Sequence, residues 1–412
     1  MIHGRSLPVP ADFAEPPTAI DRSRWAEADR AARPARLGRL RARFAAAGVD
    51  AYFGIRREHM RYLTGFALAD GEEKVAGSSG QFLVNGDEVV VLADSRYTLQ
   101  AERECPESRI AAAYHDVPRR WAELVAELGA KRVAIESGLV SHALWERLAA
   151  AAPGVDLVGV EGWVEEDRAT KEPAELERIA AACAVADRAL AGLLPAIRQG
   201  ATERELALDL EWRMRTGGAD ALAFDVACLA GPEAALPHGS PGARPVRDGE
   251  VLLFDFGAEV EGYRSDMTRT LFVGEPVARD VDVYELVARA QGAAIAALRA
   301  AVALARDEGA PLPSGRSVDA IARAVIGDAG HGDHFGHGLG HGIGLATHET
   351  PSLGVSAPDT PLPSPTVFSV EPGVYLDGEM GVRIEDLVAI DVVTGTTSIL
   401  TSFPREIVVV GR

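Results

Sequence analysis

Val251-Leu-Leu-Phe-Asp-Phe-Gly257 and, after a short polar turn, Gly262-Tyr-Arg-Ser-Asp-Met-Thr-Arg-Thr-Leu-Phe-Val273 read as two apolar strands of one hairpin, each interrupted by a single aspartate. A turn centred between Val260 and Glu261 puts Asp255 opposite Asp266. Directly opposed side chains have Cβ atoms about 4.5–5.5 Å apart, where two anions repel unless a cation or a shared proton lies between them. The pattern recurs in Val367-Phe-Ser-Val-Glu-Pro-Gly-Val-Tyr-Leu376, which passes through Asp377-Gly378 into Gly381-Val-Arg-Ile-Glu-Asp-Leu-Val388. A turn centred on Gly378 puts Glu371 opposite Glu385. A bulge would slip either register by one residue, but two such hairpins in one chain support each other.

Between the hairpins lies His331-Gly-Asp-His-Phe-Gly-His-Gly-Leu-Gly-His-Gly-Ile-Gly-Leu-Ala-Thr-His-Glu349, which holds five of the ten histidines. Glycines flank His337 and His341, so the backbone there can approach a ligand closely. One imidazole with four carboxylates suits two bridged divalent ions of the manganese, cobalt, zinc or iron kind. Taken singly, Asp255 reads equally well as a buried, hydrogen-bonded structural acid; several ligand types occurring together favour a metal. His331 and His334 read as loop or surface residues, and Arg383 has a plain alternative as the ion-pair partner of Asp386.

At these residues the chain resembles the pita-bread metallopeptidases, the family of methionine aminopeptidase, aminopeptidase P and prolidase. That resemblance implies metal ligands Asp255, Asp266, His341, Glu371 and Glu385, in the family's order along the chain. It further implies that Glu371 shuttles a proton, that His238 and His348 face the substrate at the reacting carbonyl, and that Arg383, His337 and Tyr263 line the site. Arg61-Tyr-Leu-Thr-Gly-Phe66 and Asp94-Ser-Arg-Tyr-Thr-Leu-Gln-Ala101 are similar to the creatinase-type N-terminal domain of aminopeptidase P and prolidase, which methionine aminopeptidases lack. The implied activity is hydrolysis of the bond before proline in short peptides with proline in second position, as an Xaa-Pro aminopeptidase ahead of an Xaa-Pro dipeptidase. The implied cofactor is a pair of divalent ions, manganese first, and the implied assembly is a homodimer. A non-peptidase member of the fold, such as a metal-dependent lyase or a creatinase-like C–N hydrolase, is the alternative.

The rest of the chain frames this region. Its 412 residues suit two domains. With 42 basic against 61 acidic residues, the net charge of -19 disfavours nucleic acid as a partner. Three unpaired cysteines and a proline-bearing start with acidic residues, in place of a continuous apolar signal, point to a cytoplasmic protein. No run approaches the roughly 18 uninterrupted apolar residues of a membrane span. The reading assigns 1–32 to a leader that either assists assembly or is disordered, 33–165 to an α/β domain, and 170–412 to an α+β pita-bread catalytic domain. Within these, helices are predicted at Arg33 to Gly48, Thr170 to Ile197 and Thr202 to Thr216. The last opens with the Thr202-x-x-Glu205 form of a capping box.

Overall fold

Turn chemistry and helix caps written into the sequence set most element boundaries in the computed structural model, which describes residues 13–68, 79–113 and 116–411. The chain divides between Asp167 and Arg168 into an N-terminal unit, Ser23–Asp167, and a C-terminal unit that also takes in the described residues before Ser23. The leader's first twelve residues, Pro8 and Pro10 among them, lie outside the described residues. Its later part corrects the expectation: a helix spans Ala19–Ala47, so Ala19 to Ala32 is regular structure. The leader's prolines had argued against this, and one further proline, Pro34, lies within the helix. Trp25, Arg36, Leu40 and Phe44 are buried along the helix, and that packing outweighs the backbone bond lost at Pro34.

The N-terminal unit contains β1 (Ala51–Gly54), β2 (Gln81–Asn85), β3 (Val89–Ala93), β4 (Arg109–Ala112), β5 (Arg132–Glu136) and β6 (Asp156–Val160). They form one mixed sheet in the order β4-β3-β2-β1-β5-β6. The hairpin β2–β3 turns where Asn85 Oδ1 accepts the N–H groups of Asp87 and Glu88, at 2.9 and 2.7 Å. The helix Val117–Glu127, capped by the Asp116 side chain, lays Trp121, Leu124 and Val125 onto Phe53, Leu83, Val133 and Ile135.

In the C-terminal unit the Thr202–Glu205 capping box forms as predicted, with Glu205 N–H donating to Thr202 Oγ1 and Thr202 N–H to Glu205 Oε2. Its strands are β7 (Ala221–Leu222), β8 (Ala227–Ala230), β9 (Val251–Phe256), β10 (Ala258–Val260), β11 (Tyr263–Arg264), β12 (Met267–Val273), β13 (Gly340–Gly342), β14 (Glu349–Leu353), β15 (Thr366–Val370), β16 (Gly373–Leu376), β17 (Met380–Arg383), β18 (Asp386–Asp391), β19 (Thr396–Ile399) and β20 (Val409–Val410). They make sheets β20-β12-β9-β8 and β14-β13-β15-β18-β19, with the smaller β11-β10-β7 and β16-β17. Tyr284, Val287, Ala294 and Leu298 of the helix Ala278–Glu308 share one core with Leu253, Phe272, Phe368, Val370 and Val388. The segments Pro173–Ala196 and Ala278–Glu308 are long and apolar enough to cross a membrane by length and composition. About half of each such window is buried inside the unit, 56% and 44%.

The two hairpins differ in how closely they keep the predicted register. The second keeps it: Gly373 faces Arg383, and outside that pair Val370 faces Asp386, so Glu371 and Glu385 occupy matching positions in the gap between two ladders. The first is displaced by one residue at its turn. Val260 closes on Tyr263 across Glu261 and Gly262, both at positive φ (49° and 77°), the geometry of a two-residue hairpin turn. Asp255 therefore faces Thr268 rather than Asp266.

Candidate metal centre

Asp255 is the penultimate residue of β9, Asp266 precedes β12, His341 is the middle residue of β13, Glu371 follows β15 and Glu385 precedes β18. All five line one cavity of about 360 Å³, together with His238, His337, His348, Thr347, Phe224 and Arg383. One ligand atom each from Asp266, His341 and Glu385 lies within 4.8 Å of the others. His341 is held where it is by its neighbours: a Cβ at Gly340 would meet Ser369 O at 1.9 Å, and one at Gly342 would meet Thr350 O at 2.3 Å. Only glycine lets β13 lie this close to the flanking chains.

The electrostatics of this cavity are unbalanced. Four carboxylates face one guanidinium, Arg383, whose Nη2 donates to Asp255 Oδ2 at 2.6 Å. Burial, and then the neighbouring carboxylates, push the carboxyls of Asp266 and Glu385 well above their usual range. Burial likewise raises Glu371, against the pull of Arg383 and His337. Asp255 Oδ1 and Glu385 Oε1 are buried with no hydrogen-bond partner, although buried carboxylate oxygens normally find donors. His341 Nδ1–H donates to Gly342 O at 3.1 Å, which leaves the unprotonated Nε2 facing Glu371 Oε1 at 3.3 Å and Asp266 Oδ2 at 3.6 Å. A lone pair and several anionic oxygens aimed at one point, with the imidazole tautomer fixed from behind, is the donor set of a divalent cation site. The residues fit the metal that the sequence implies.

Polar side chains outside the five order this set. Thr268 Oγ1 donates to Glu385 Oε2 at 2.7 Å and accepts from Arg383 Nε at 2.8 Å, while Ser369 Oγ donates to Glu371 Oε1 at 2.9 Å. Arg383 Nη1 donates to Tyr375 OH at 2.8 Å, and that hydroxyl lies 2.9 Å from His337 Nε2, with His337 Nδ1 donating to Gly338 O at 2.7 Å. The residues form one relay from Gly338 to Asp255. Arg383 does not pair with Asp386: that acid is fully buried and takes Arg269 instead, at 2.6 Å, together with Thr401 and Gln291.

Sequence reasoning missed Tyr375, Thr268 and Ser369. Their signal was spacing alone: Ser369 and Thr268 stand two residues from Glu371 and Asp266, and Tyr375 lies within the second hairpin. Tyr263 is a correction. It is buried away from the cavity, with its hydroxyl donating to Glu175 Oε1 at 3.0 Å and its ring 4.4 Å from the Arg178 guanidinium, so it is a packing residue. His331 and His334 lie outside the cavity lining, with their rings against each other.

Residues 177–391 match Metallopeptidase family M24, and residues 36–170 match the Creatinase/Prolidase N-terminal domain. The chain is 32% identical over 374 residues to an uncharacterized peptidase, YqhT, of Bacillus subtilis, covering 91% of this chain and 99% of that one. Its fold is similar to that of an Xaa-Pro dipeptidase from Bacillus anthracis, with TM-score 0.81 and 31% identity over 91% and 99% of the two chains. It is also similar to an X-Pro aminopeptidase from Thermotoga maritima MSB8, with TM-score 0.77 and 34% identity over 88% and 98%. The chain belongs to metallopeptidase family M24, a metal-dependent hydrolase family, with a pita-bread catalytic domain behind a creatinase-type N-terminal domain.

Proposed function

We propose that this protein is an exopeptidase that hydrolyses the bond preceding proline, using two divalent ions, manganese first, held by Asp255, Asp266, His341, Glu371 and Glu385. The observation that carries the reading is the convergence of these five side chains on one cavity with two carboxylate oxygens left unsatisfied. Four oxygen-donor acids with one imidazole favour a hard or borderline ion. Such ions, when bound, supply Lewis-acid charge for the scissile carbonyl and lower the pKa of a nearby water.

The protein's own groups do the rest. Glu371 accepts the proton of the attacking water and returns it to the departing proline nitrogen. His348 and His238, on the cavity wall, donate hydrogen bonds to the oxygen that becomes negative in the tetrahedral intermediate. The bond before proline lacks the N–H that most peptidases engage, so recognition falls to the shape of the cavity and to these side chains. Similarity to both a dipeptidase and an aminopeptidase supports the proline preference. The similarity extends to enzymes of both kinds, and aminopeptidase action is the form proposed first.

The test is metal-stripped protein reloaded with manganese, cobalt, zinc or iron and offered Xaa-Pro dipeptides, longer Xaa-Pro peptides and matched peptides without proline. Release of the first residue from the longer Xaa-Pro peptides is expected, with loss of activity on chelation. Cleavage confined to dipeptides moves the assignment to a dipeptidase. A metal-loaded protein that cleaves no Xaa-Pro bond sinks the peptidase reading and favours a lyase or C–N hydrolase.

A further inference from the structure

His348 lines the cavity with its ring 4.2 Å from that of His341, yet among the described residues no hydrogen bond holds it. A group that must meet a developing charge needs its position fixed to within about half an ångström. The next residue is held on several sides. Glu349 at the start of β14 turns its carboxylate inward, with only 4% of the side chain exposed. There Oε1 accepts from Lys171 Nζ at 2.8 Å, Oε2 forms an ion pair with Arg168, and Oε2 also accepts the N–H of Ala346 at 3.3 Å. Burial pushes this carboxyl up, but Arg168 and Lys171 more than reverse it and hold it below its usual range.

The cations are anchored in turn. Lys171 Nζ donates to Arg168 O at 2.7 Å and Lys171 N–H to Pro365 O at 2.8 Å. The loop between β13 and β14 wraps closely over the carboxylate: a Cβ at Gly344 would meet Glu349 Oε1 at 2.5 Å and Lys171 Cε at 3.3 Å. On its other side, Arg264 Nη1 donates to Thr347 Oγ1 at 3.1 Å, and Arg264 N–H to Gly344 O at 2.9 Å. His348 immediately precedes Glu349, the first residue of β14, so the anchoring of Glu349 onto two buried cations fixes the backbone from which His348 reaches the cavity.

We propose that Glu349, clamped by Arg168 and Lys171, is the positioning residue for His348. The inference rests on the peptidase reading for its kinetic consequence and on packing alone for its structural one. Two variants test it: Glu349→Gln, and the double variant Glu349→Gln/Lys171→Gln, which leaves the buried net charge unchanged and guards against misfolding of the first. Each is combined with His348→Ala. A displacement of the order of 1 Å can cost about a hundredfold in rate, so kcat is expected to fall about ten- to a hundredfold with KM and metal content little changed. In the His348→Ala background the same substitutions are expected to bring no further loss. A loss of equal size in both backgrounds overturns the proposal, as does a crystal structure of either folded variant with the His348 ring in place. That crystallographic arm holds even if no Xaa-Pro substrate is cleaved, so failure of the clamp and failure of the peptidase reading remain separate results.

Discussion

Each unit of this protein buries a histidine against carboxylate, and the two sites have opposite electrostatics. In the N-terminal unit, His59 Nδ1 lies 2.6 Å from Glu136 Oε1, which also accepts from Tyr52 OH at 2.6 Å. Glu136 Oε2 takes the N–H groups of Ile55 and Arg56 at 2.7 and 2.9 Å. Burial pushes Glu136 up, but these donors outweigh it and leave the carboxyl below its usual range. In the C-terminal unit, His341 Nε2 faces Glu371 and Asp266, both driven upward by burial, in a cavity where Asp255 and Glu385 each keep one buried oxygen without a hydrogen-bond partner. The acid beside the histidine is thus saturated with donors in one place and part of an incomplete coordination shell in the other. What separates them is the supply of donors, not the residue types.

The contrast breaks most plainly at Glu371. Glu371→Gln is expected to lower turnover by at least about a thousandfold, worth about 4 kcal/mol of barrier. The metal-free protein should resist urea as well as before or better, because a repelled carboxylate has been removed. A variant that retains a tenth of the activity, or whose metal-free form is markedly weaker, would place Glu371 with the structural acids. Glu136→Gln is the reverse case: about 1–3 kcal/mol of stability is expected to go, because buried donors lose their charged acceptor, with no change in metal content. Urea melts alongside elemental analysis would check both halves, and a loss of bound metal would break the comparison.

Asp187 falls between the two and sharpens the distinction. It accepts the N–H groups of Ser402 and Phe403 at 2.8 and 2.9 Å, yet burial still raises it to about 6. The folded state therefore holds a proton that the unfolded chain has released near pH 4, so stability from this group falls as pH rises from about 4 to 6 and is level above that. At 1.36 kcal/mol per unit the effect is at most about 3 kcal/mol. Asp187→Asn is expected to gain on the wild type across that window in urea melts of the metal-free protein. A difference that stays constant with pH would count against it.

Much of this site was legible in the sequence because liganding acids must interrupt apolar strands, and such interruptions are conspicuous. The second hairpin kept its predicted register because Gly378 takes the turn's positive φ. The first lost it because Glu261 adopts a left-handed conformation that glutamate seldom takes, and the turn moved by one residue. Tyr263 and Tyr375 show the limit of reading residue type within a strand. Both are buried, but one hydroxyl reaches Glu175 and the other reaches Arg383 and His337, a difference made by tertiary packing. The helix Ala19–Ala47 was hidden for the same reason, since composition favoured a loose start and burial of Trp25 decided otherwise.

The glycines beside His341 have a consequence for how the centre tolerates change. Gly340 and Gly342 carry no chemistry, yet any side chain at either would drive β13 off the backbone oxygens of Ser369 and Thr350 and carry the imidazole with it. A conservative exchange among the acids preserves at least the shape of the pocket. An alanine at Gly340 preserves every functional group and dismantles their arrangement, so the strictest demand on this sequence falls on positions that have no side chain.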